Sequence, residues 1–419
     1  MKILVLSNLY PPHYIGGYEL RCRQITEALR SRGHEVHVLT SDHGVKPGQT
    51  LAETGVERRL RVHGFFGHPW LGINQLRELE FHNNHALREV VERVKPEVVH
   101  VWNMGGISKS LIFTLRKLGV PTVFDVSDHW IARSLVGDVW LRWWNRSDPS
   151  VRHRLLRAWW MSSGFRATWD AEAPTNPIYQ IRFQRLYFCS KALRTLTSDV
   201  GYSVDHAAVI YCPVDLERFK CVAVPTVRDI KKLLCVGRLA EDKGIMTALR
   251  AMVRVKGRFQ GELHVYGKGD AAYTEQLRSF VTTNSLPVTF ASATAEEMPS
   301  VYQSHDVLLF TSEWEEPFAL TPLEAMACGL PVIGTTTGGS KELLRDGENA
   351  LTYTAGNDQE LAERILALAE HSSLAPHMAS RGLEDVKQFA LPLIVDQIEE
   401  YLRQTPLRWV NDPLPRWDQ

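Results

Sequence analysis

A net charge is missing from this 419-residue chain: 48 Lys and Arg balance 48 Asp and Glu. No global field therefore draws it towards nucleic acid or anionic lipid, and any attraction has to be local. Also missing is any apolar run approaching the ~18 residues that a membrane-spanning helix needs, so an integral membrane protein is not expected. The six cysteines, Cys22, Cys189, Cys212, Cys221, Cys235 and Cys328, form no C-x-x-C pair and follow no regular spacing. Several sit inside apolar runs, which suits buried, reduced thiols in a cytoplasmic protein. No G-x-G-x-x-G follows the first apolar run, where "PPHYIGGYEL" stands instead, and that argues against a nicotinamide dehydrogenase. No Asp-x-Asp pair occurs anywhere, so the usual carboxylate platform for a catalytic divalent cation is lacking and no metal is expected. The opening "MKILVLSNLYPP" carries one Lys and a very short apolar run, the pattern of a first β-strand and not of a signal peptide.

What is present is a long alternation of strand and helix. The length is too great for one ordinary core, so at least two domains are expected. "KILVLSN" (2–8) is a buried-strand run, a helical pattern through Leu20, Ile25, Ala28 and Leu29 stops at Arg32-Gly33, and "HEVHVLTS" (34–41) is the next strand. Strand, helix and strand with short connections imply a parallel pair. The pattern recurs at 97–103, 121–127, 185–190 and 207–213, then begins afresh at 231–239, 261–269, 286–292, 306–312 and 330–335. Periodicity fades across 213–227. The expected fold class is therefore α/β, with two Rossmann-like doubly wound domains facing across a cleft: residues 1–213, residues 214–390, and a terminal helix and tail, 391–419, packing back on the first domain. Ligands of such sheets bind beyond the carboxyl ends of the strands.

The stretch "EEPFALTPLEAMACGLPVI" (315–333) places Glu316 and Glu324 eight positions apart. Thr321-Pro322-Leu323-Glu324 reads as a helix start, with Thr321 as N-cap and Glu324 closing a capping box. The backbone N–H groups of Phe318, Ala319, Leu320 and Thr321 would then cluster where a phosphate is favoured. Glu324 has the plain alternative of being only a cap. Glu316 precedes the helix, and a carboxylate beside an anion site accepts hydrogen bonds from hydroxyls of the same ligand.

This stretch, together with "PPHYIGG" (11–17), "CPVDLERF" (212–219), "VGRLAEDKG" (236–244), "YGKG" (266–269), "SHDVLLFTSEWEEPF" (304–318) and "GGSKELLRDGENALTY" (338–353), resembles the family 4 retaining glycosyltransferases over nearly the whole chain. The resemblance implies the glycosyltransferase B architecture and a sugar passed from a nucleoside-diphosphate sugar, of the UDP or GDP type, to an acceptor hydroxyl of a carbohydrate or lipid-linked acceptor. It implies no cofactor and no metal, with retention of anomeric configuration, in a pathway building surface polysaccharide or glycolipid.

Residue by residue, the resemblance gives Glu324 to the ribose hydroxyls, Glu316 to the hydroxyls of the transferred sugar, and the amides of Phe318, Ala319, Leu320 and Thr321 to sugar and diphosphate. It gives Arg238 and Lys243 to the leaving diphosphate, whose developing charge fixed cations stabilise. Gly17 and Gly267 become binding glycines that let backbone approach the ligand. Where the family carries a His-Asp pair, this chain has Ser127-Asp128 with His129 following. Asp128 therefore takes a site role, with Ser127 or His129 as replacements for the His; Asp125 and Asp128 have the alternative of turn or helix caps. Ala291 replaces a common glycine beside the base-binding loop 292–295. Rival readings are an epimerase or hydrolase of the same fold, and a non-catalytic nucleotide-sugar-binding scaffold.

Residues 130–170 interleave Trp130, Trp140, Trp143, Trp144, Trp159, Trp160 and Trp169 with seven arginines. Two readings stand side by side: a peripheral membrane contact or sugar-stacking surface, and an amphipathic helical pair whose indoles are core. Nucleic-acid binding ranks last.

Overall fold

A computed structural model describes the chain except residues 47–52, 146–150, 163, 223–228, 372 and 406–419, and except the side chains at 136, 152 and 153. The expectations for two of the insert's arginines (Arg146, and the side chain of Arg152), for the tail from 406 on and for part of the 213–227 join lie outside the described residues.

The chain divides into two compact units. The first comprises Met1–Cys189, Leu193–Ile210 and the chain from Val395 on; the second comprises Ser190–Ala192 and Tyr211–Ile394. The first holds strands β1 (Lys2–Leu6), β2 (Glu35–Ser41), β3 (Val56–Leu60), β4 (Val98–Val101), β5 (Thr122–Val126), β6 (Arg185–Phe188) and β7 (Ala208–Val209). They form one sheet in the order β3-β2-β1-β4-β5-β6-β7, and every pairing is parallel. The second holds β8 (Lys232–Val236), β9 (Glu262–Tyr266), β10 (Val288–Ala291), β11 (Val307–Phe310), β12 (Val332–Thr335) and β13 (Ala350–Tyr353). Their order is β10-β9-β8-β11-β12-β13, again all parallel.

Buried on both faces, such strands read as continuous apolar runs, and Ile3, Leu4, Val5 and Leu6 are accordingly inaccessible. β3 differs: in "VERRL" only Val56 and Leu60 are buried, since an edge strand leaves one side to solvent. That is why no apolar run announces it.

The helices are α1 (Gly17–Ser31), α2 (Ile73–Val94), α3 (Ser110–Leu118), α4 (Val139–Asn145), α5 (Val151–Ser162), α6 (Phe165–Glu172), α7 (Lys191–Asp199), α8 (Ile245–Val255), α9 (Ala271–Asn284), α10 (Met298–Gln303), α11 (Leu320–Ala327), α12 (Asp358–Glu370), α13 (Leu374–Asp385) and α14 (Leu391–Arg403). In each sheet the order reverses between neighbouring strands, at β1/β4 and at β8/β11. The loops leaving those strands therefore splay apart and open a crevice at the carboxyl edge.

α14 crosses from the second unit to the first. There Tyr401 donates to the carbonyl of Leu186 at 2.8 Å, the Arg185 guanidinium lies 3.7 Å from the Tyr401 ring centre, and Glu399 meets Arg32 at 3.0 Å and His34 at 3.1 Å.

The Trp/Arg-rich insert becomes α4, α5 and α6. Trp130, Trp140, Trp144, Trp160 and Trp169 are buried, and ring contacts join Trp144 to Trp140 at 5.8 Å and to Trp169 at 5.6 Å, with Trp160 on Trp169 at 4.6 Å. These five indoles are core, so the stacking and membrane readings do not hold for them. Of the other two, Trp143 is half-buried and Trp159 is 57% exposed.

Candidate functional site

The predicted residues fall on both units, and each set is described on its own unit. On the second, the loops after β8 and β11 leave the switch point of the sheet. The β8 loop carries Arg238 and Lys243, and Gly244 closes it with φ +63°. A Cβ on Gly244 would stand 2.0 Å from the carbonyl oxygen of Thr311, so only glycine lets this loop lie against the end of β11. The Thr311 hydroxyl returns a hydrogen bond to the carbonyl of Lys243 at 2.7 Å, and the amides of Glu313 and Trp314 donate to the carbonyl of Asp242 at 2.9 and 3.1 Å. Lys243 is thereby aimed at Glu316, and its Nζ meets Oε1 at 2.5 Å. The Ser312 hydroxyl donates to the same oxygen at 2.6 Å. Arg238 is more exposed and pairs with Asp242 at 3.4 Å.

Glu316 is fixed from behind by the loop after β12. The amide of Gly339 donates to its carbonyl at 2.6 Å, and a Cβ on Gly338 would fall 2.3 Å from that oxygen. The motif "TGGSKE" is thus a backbone cradle for the acidic loop. Thr335 adds a hydrogen bond to the carbonyl of Ser312 at 2.6 Å.

The helix that follows corrects one expectation. α11 begins at Leu320 with Ala319 as N-cap, and no side chain caps it. Thr321 is inside the first turn and Glu324 closes no capping box. The shift costs little, because Pro322 then occupies a first-turn position that has no intrahelical acceptor to satisfy. The amides of Leu320 and Thr321 remain at a helix start beside Phe318 and Ala319, and Glu316 stands just ahead of them. The Glu324 carboxylate instead accepts the Tyr302 hydroxyl at 2.8 Å. Burial pushes the Glu324 carboxyl up to about 7, against the opposing pull of Tyr302 and Arg218.

Gly267 ends β9. Its amide donates to the carbonyl of Ala291 at 3.0 Å, and a Cβ there would stand 1.8 Å from the carbonyl oxygen of Gly237. A cavity of about 700 Å³ opens beside it, lined among others by Leu239, Gly269, Arg278, Phe290 and Ser292. Ser292, from the predicted base loop, therefore shares a cavity with Gly267.

On the first unit, Gly17 opens α1. The amide of Gly16, its N-cap, donates to the Glu19 carboxylate at 2.9 Å, and burial raises the Glu19 carboxyl. Asp128 follows β5 and accepts the amide of Trp130 at 2.7 Å, so it does act as a turn cap. Burial lifts its carboxyl to about 6, with Glu19 adding to the rise. Asp125 does not cap: buried, it pairs with Arg21 and accepts the Ser127 hydroxyl at 2.6 Å. Ser127 is thus turned down towards the sheet, and His129 is buried.

Ser312, Tyr302, Thr311 and Asp242 escaped the sequence reading. Thr311 and Ser312 follow the end of β11 directly and Asp242 lies in the loop after β8, which could have marked them; Tyr302, inside α10, carried no such signal. Among the described residues no group of three or more His, Cys, Asp or Glu side chains is arranged to hold a metal ion, and no helix is long and apolar enough to cross a membrane.

Comparison with known proteins bears on what this geometry serves. Residues 15–218 match the family model described as Glycosyltransferase Family 4, and residues 230–371 match that described as Glycosyl transferases group 1. An uncharacterized glycosyltransferase of Methanocaldococcus jannaschii is 24% identical over 378 residues, 88% of this chain and 89% of that protein. The lipopolysaccharide core biosynthesis glycosyltransferase LpsE of Rhizobium meliloti is 29% identical over 184 residues, 43% of this chain and 52% of that protein. Among solved structures, sucrose-phosphate synthase of Thermosynechococcus elongatus superposes with a TM-score of 0.70 at 20% identity, covering 96% of this chain and 98% of that one. HepE of Anabaena, in complex with UDP, does so with 0.67 at 21%, covering 96% and 100%. Two parallel-sheet α/β units, a family match on each, and the same fold in these neighbours lead to one assignment: the chain belongs to the family 4 glycosyltransferases and has the glycosyltransferase B fold.

Proposed function

We propose that this glycosyltransferase is retaining and metal-independent, and moves a hexose from a nucleoside-diphosphate sugar to an acceptor hydroxyl. The observation that carries the reading is the Lys243–Glu316 contact of 2.5 Å at the start of α11. A cation, a carboxylate and free helix amides converge there on one strand-end crevice. In the ligand-free protein Lys243 and Glu316 neutralise each other; a diphosphate takes over the ammonium and leaves the carboxylate to accept sugar hydroxyls.

As the bond from the anomeric carbon to the phosphate oxygen breaks, the leaving diphosphate gains charge. Arg238, Lys243 and the amides of Phe318 to Thr321 stabilise that charge, which is the part a metal plays elsewhere. The acceptor oxygen bonds to the anomeric carbon on the face that the phosphate leaves, and its proton passes to the departing phosphate oxygen. Such a step asks for no histidine base, consistent with Ser127 being engaged with Asp125. Glu324 receives the ribose hydroxyls, Gly267 and the adjoining cavity receive the base, and Gly17 and Asp128 serve from the first unit. The UDP complex of the Anabaena neighbour makes UDP-sugars the first donors to test, ahead of GDP-sugars. The similarity to LpsE suggests an acceptor from surface polysaccharide or glycolipid synthesis.

The outward face of α5 supports action at an anionic membrane surface. Val151, Leu155 and Trp159 repeat at helical spacing with 69%, 67% and 57% exposure, and residues 149–169 contain four arginines and no acid. Apolar side chains flanked by such charge suit a lipid interface.

The test is transfer from radiolabelled UDP-sugars with Lys243→Ala and Glu316→Gln. Each is expected to lower kcat by about two to three orders of magnitude while the melting temperature stays close to that of the parent. Near-parental rates in both would overturn the assignment of this crevice.

A further inference from the structure

The loop joining β3 to α2, "RVHGFFGHPWLG" (61–72), plays no part in the site described above, yet it exposes two neighbouring aromatic rings beyond the carboxyl end of β3. Trp70 is 63% exposed and Phe65 44%, their ring centres 5.6 Å apart. The arrangement is built and not incidental. Gly64 has φ +67°, and a Cβ on it would stand 2.4 Å from the Trp70 ring, so the indole lies over bare backbone. Phe66 adopts a left-handed φ of +55°, costly for a bulky residue and held only where the surroundings impose it. The amide of Gly64 donates to the carbonyl of Pro69 at 3.0 Å, and that of His63 to Gly106 at 3.2 Å. The loop is thereby locked to the one leaving β4.

Hydrogen-bonding groups border the rings. His43, from the loop after β2, contacts His68 at 2.9 Å and packs on Phe66 at 6.2 Å. His63 stands edge-on to Trp70 at 5.9 Å and is buried, so it supports the indole from beneath. Burial lowers the affinity of His43 for a proton, and a neutral imidazole both donates and accepts, as a hydroxyl requires. The loop holds a single cation, the exposed Arg61 at its start, and none from Val62 to Gly72, well short of the basic cluster that favours an anionic bilayer.

We propose that the 63–70 loop is a carbohydrate platform, with Trp70 stacked on the apolar face of a pyranose ring, Phe65, tilted 59° to the indole, against the edge of that ring, and His43 and His68 hydrogen-bonding its hydroxyls. A pyranose offers this combination, C–H groups on a face and hydroxyls at its rim, and exposed aromatic rings suit the former. The inference rests on the transferase reading only in calling that ring part of the acceptor.

The test is saturation-transfer NMR with methyl β-D-glucopyranoside, methyl α-D-mannopyranoside and octyl β-D-glucopyranoside below its micelle concentration, UDP being present in every sample. Ring protons of at least one pyranoside are expected to be saturated. Trp70→Ala and Phe65→Ala should each reduce that signal about tenfold, while Tyr179→Ala, which removes an exposed ring elsewhere in the unit, leaves it unchanged. No ring-proton signal from the parent, an unaltered signal in both platform variants, or saturation confined to the octyl chain overturns the proposal. UDP reports the donor site separately: a UDP signal without a glycoside signal sinks the platform alone, and a glycoside signal without UDP sinks only the donor reading.

Discussion

With Glu324 receiving the ribose hydroxyls as proposed, its burial would tie donor affinity to pH. Burial raises the carboxyl to about 7, so in the free protein it holds a proton over the range between its ordinary value and neutrality. Ribose hydroxyls that donate to it require the ionised form. Donor binding should therefore be at full strength above about pH 7 and weaken about tenfold per unit below it. UDP-glucose is the right probe, because its diphosphate diester does not titrate there. Calorimetric titration at about pH 8 and about pH 6 checks the slope, and Glu324→Gln should flatten it. The same burial sets a stability sign. The folded carboxyl binds its proton more tightly than the unfolded one, so ionisation destabilises the parent as pH rises from about 4.5 to about 7.

The spacing of Glu316 and Glu324 around a helix start could be read from the sequence, whereas Arg238 and Lys243 are picked out only through the family resemblance; the structure brings Lys243 onto Glu316. What the Tyr302 hydroxyl does was not legible, because its contact with Glu324 joins α10 to α11 across the intervening β11; the Ser312–Glu316 contact spans only four residues, and the course of that loop, which no spacing rule fixes, decides it. Asp125 and Asp128 look interchangeable in "FDVSDHW", yet one is buried against Arg21 and the other caps a turn. Only the direction of the last strand residues separates them.

At the level of elements, the loop after β8 is held by contact geometry more than by propensity. Gly244→Ala would force a Cβ into the Thr311 carbonyl and load a left-handed backbone. It is expected to cost at least about 2 kcal/mol in chemical denaturation and to lower turnover further than the stability loss explains, since Lys243 moves with it. An equal loss of both would mean that the loop matters only for folding.

β3 and β13 were the strands that the sequence concealed: the first is charged, and the second is four residues inside a motif already rich in turn formers. The insert gives a similar lesson. An alternation of Trp and Arg reads equally as surface or as core, and the ring contacts of Trp144 decide for core. The outward stripe of α5 is the remainder. Leu155→Glu with Trp159→Glu should abolish sedimentation with vesicles containing phosphatidylglycerol while leaving UDP affinity untouched; unchanged sedimentation would remove the membrane role.

Across the whole molecule, α14 links the end of the sequence to its beginning. The Glu399 carboxylate takes hydrogen bonds from Arg403, Arg32 and His34, which hold it at about 2, below its ordinary 4.5. A lowered value means that the contribution is complete above about 4.5 and lost as pH falls towards about 2. Acid denaturation followed by circular dichroism should begin at a higher pH in Glu399→Gln, and coincident curves would show the clasp to be idle. Because the first unit takes its last helix from residues after Val395, a chain growing on the ribosome lays down the whole β1–β7 sheet with that berth vacant. Nearly two hundred residues of the second unit must be translated before it fills. The earlier-made unit is thus the later to be finished, and a stalled or truncated transcript leaves it open.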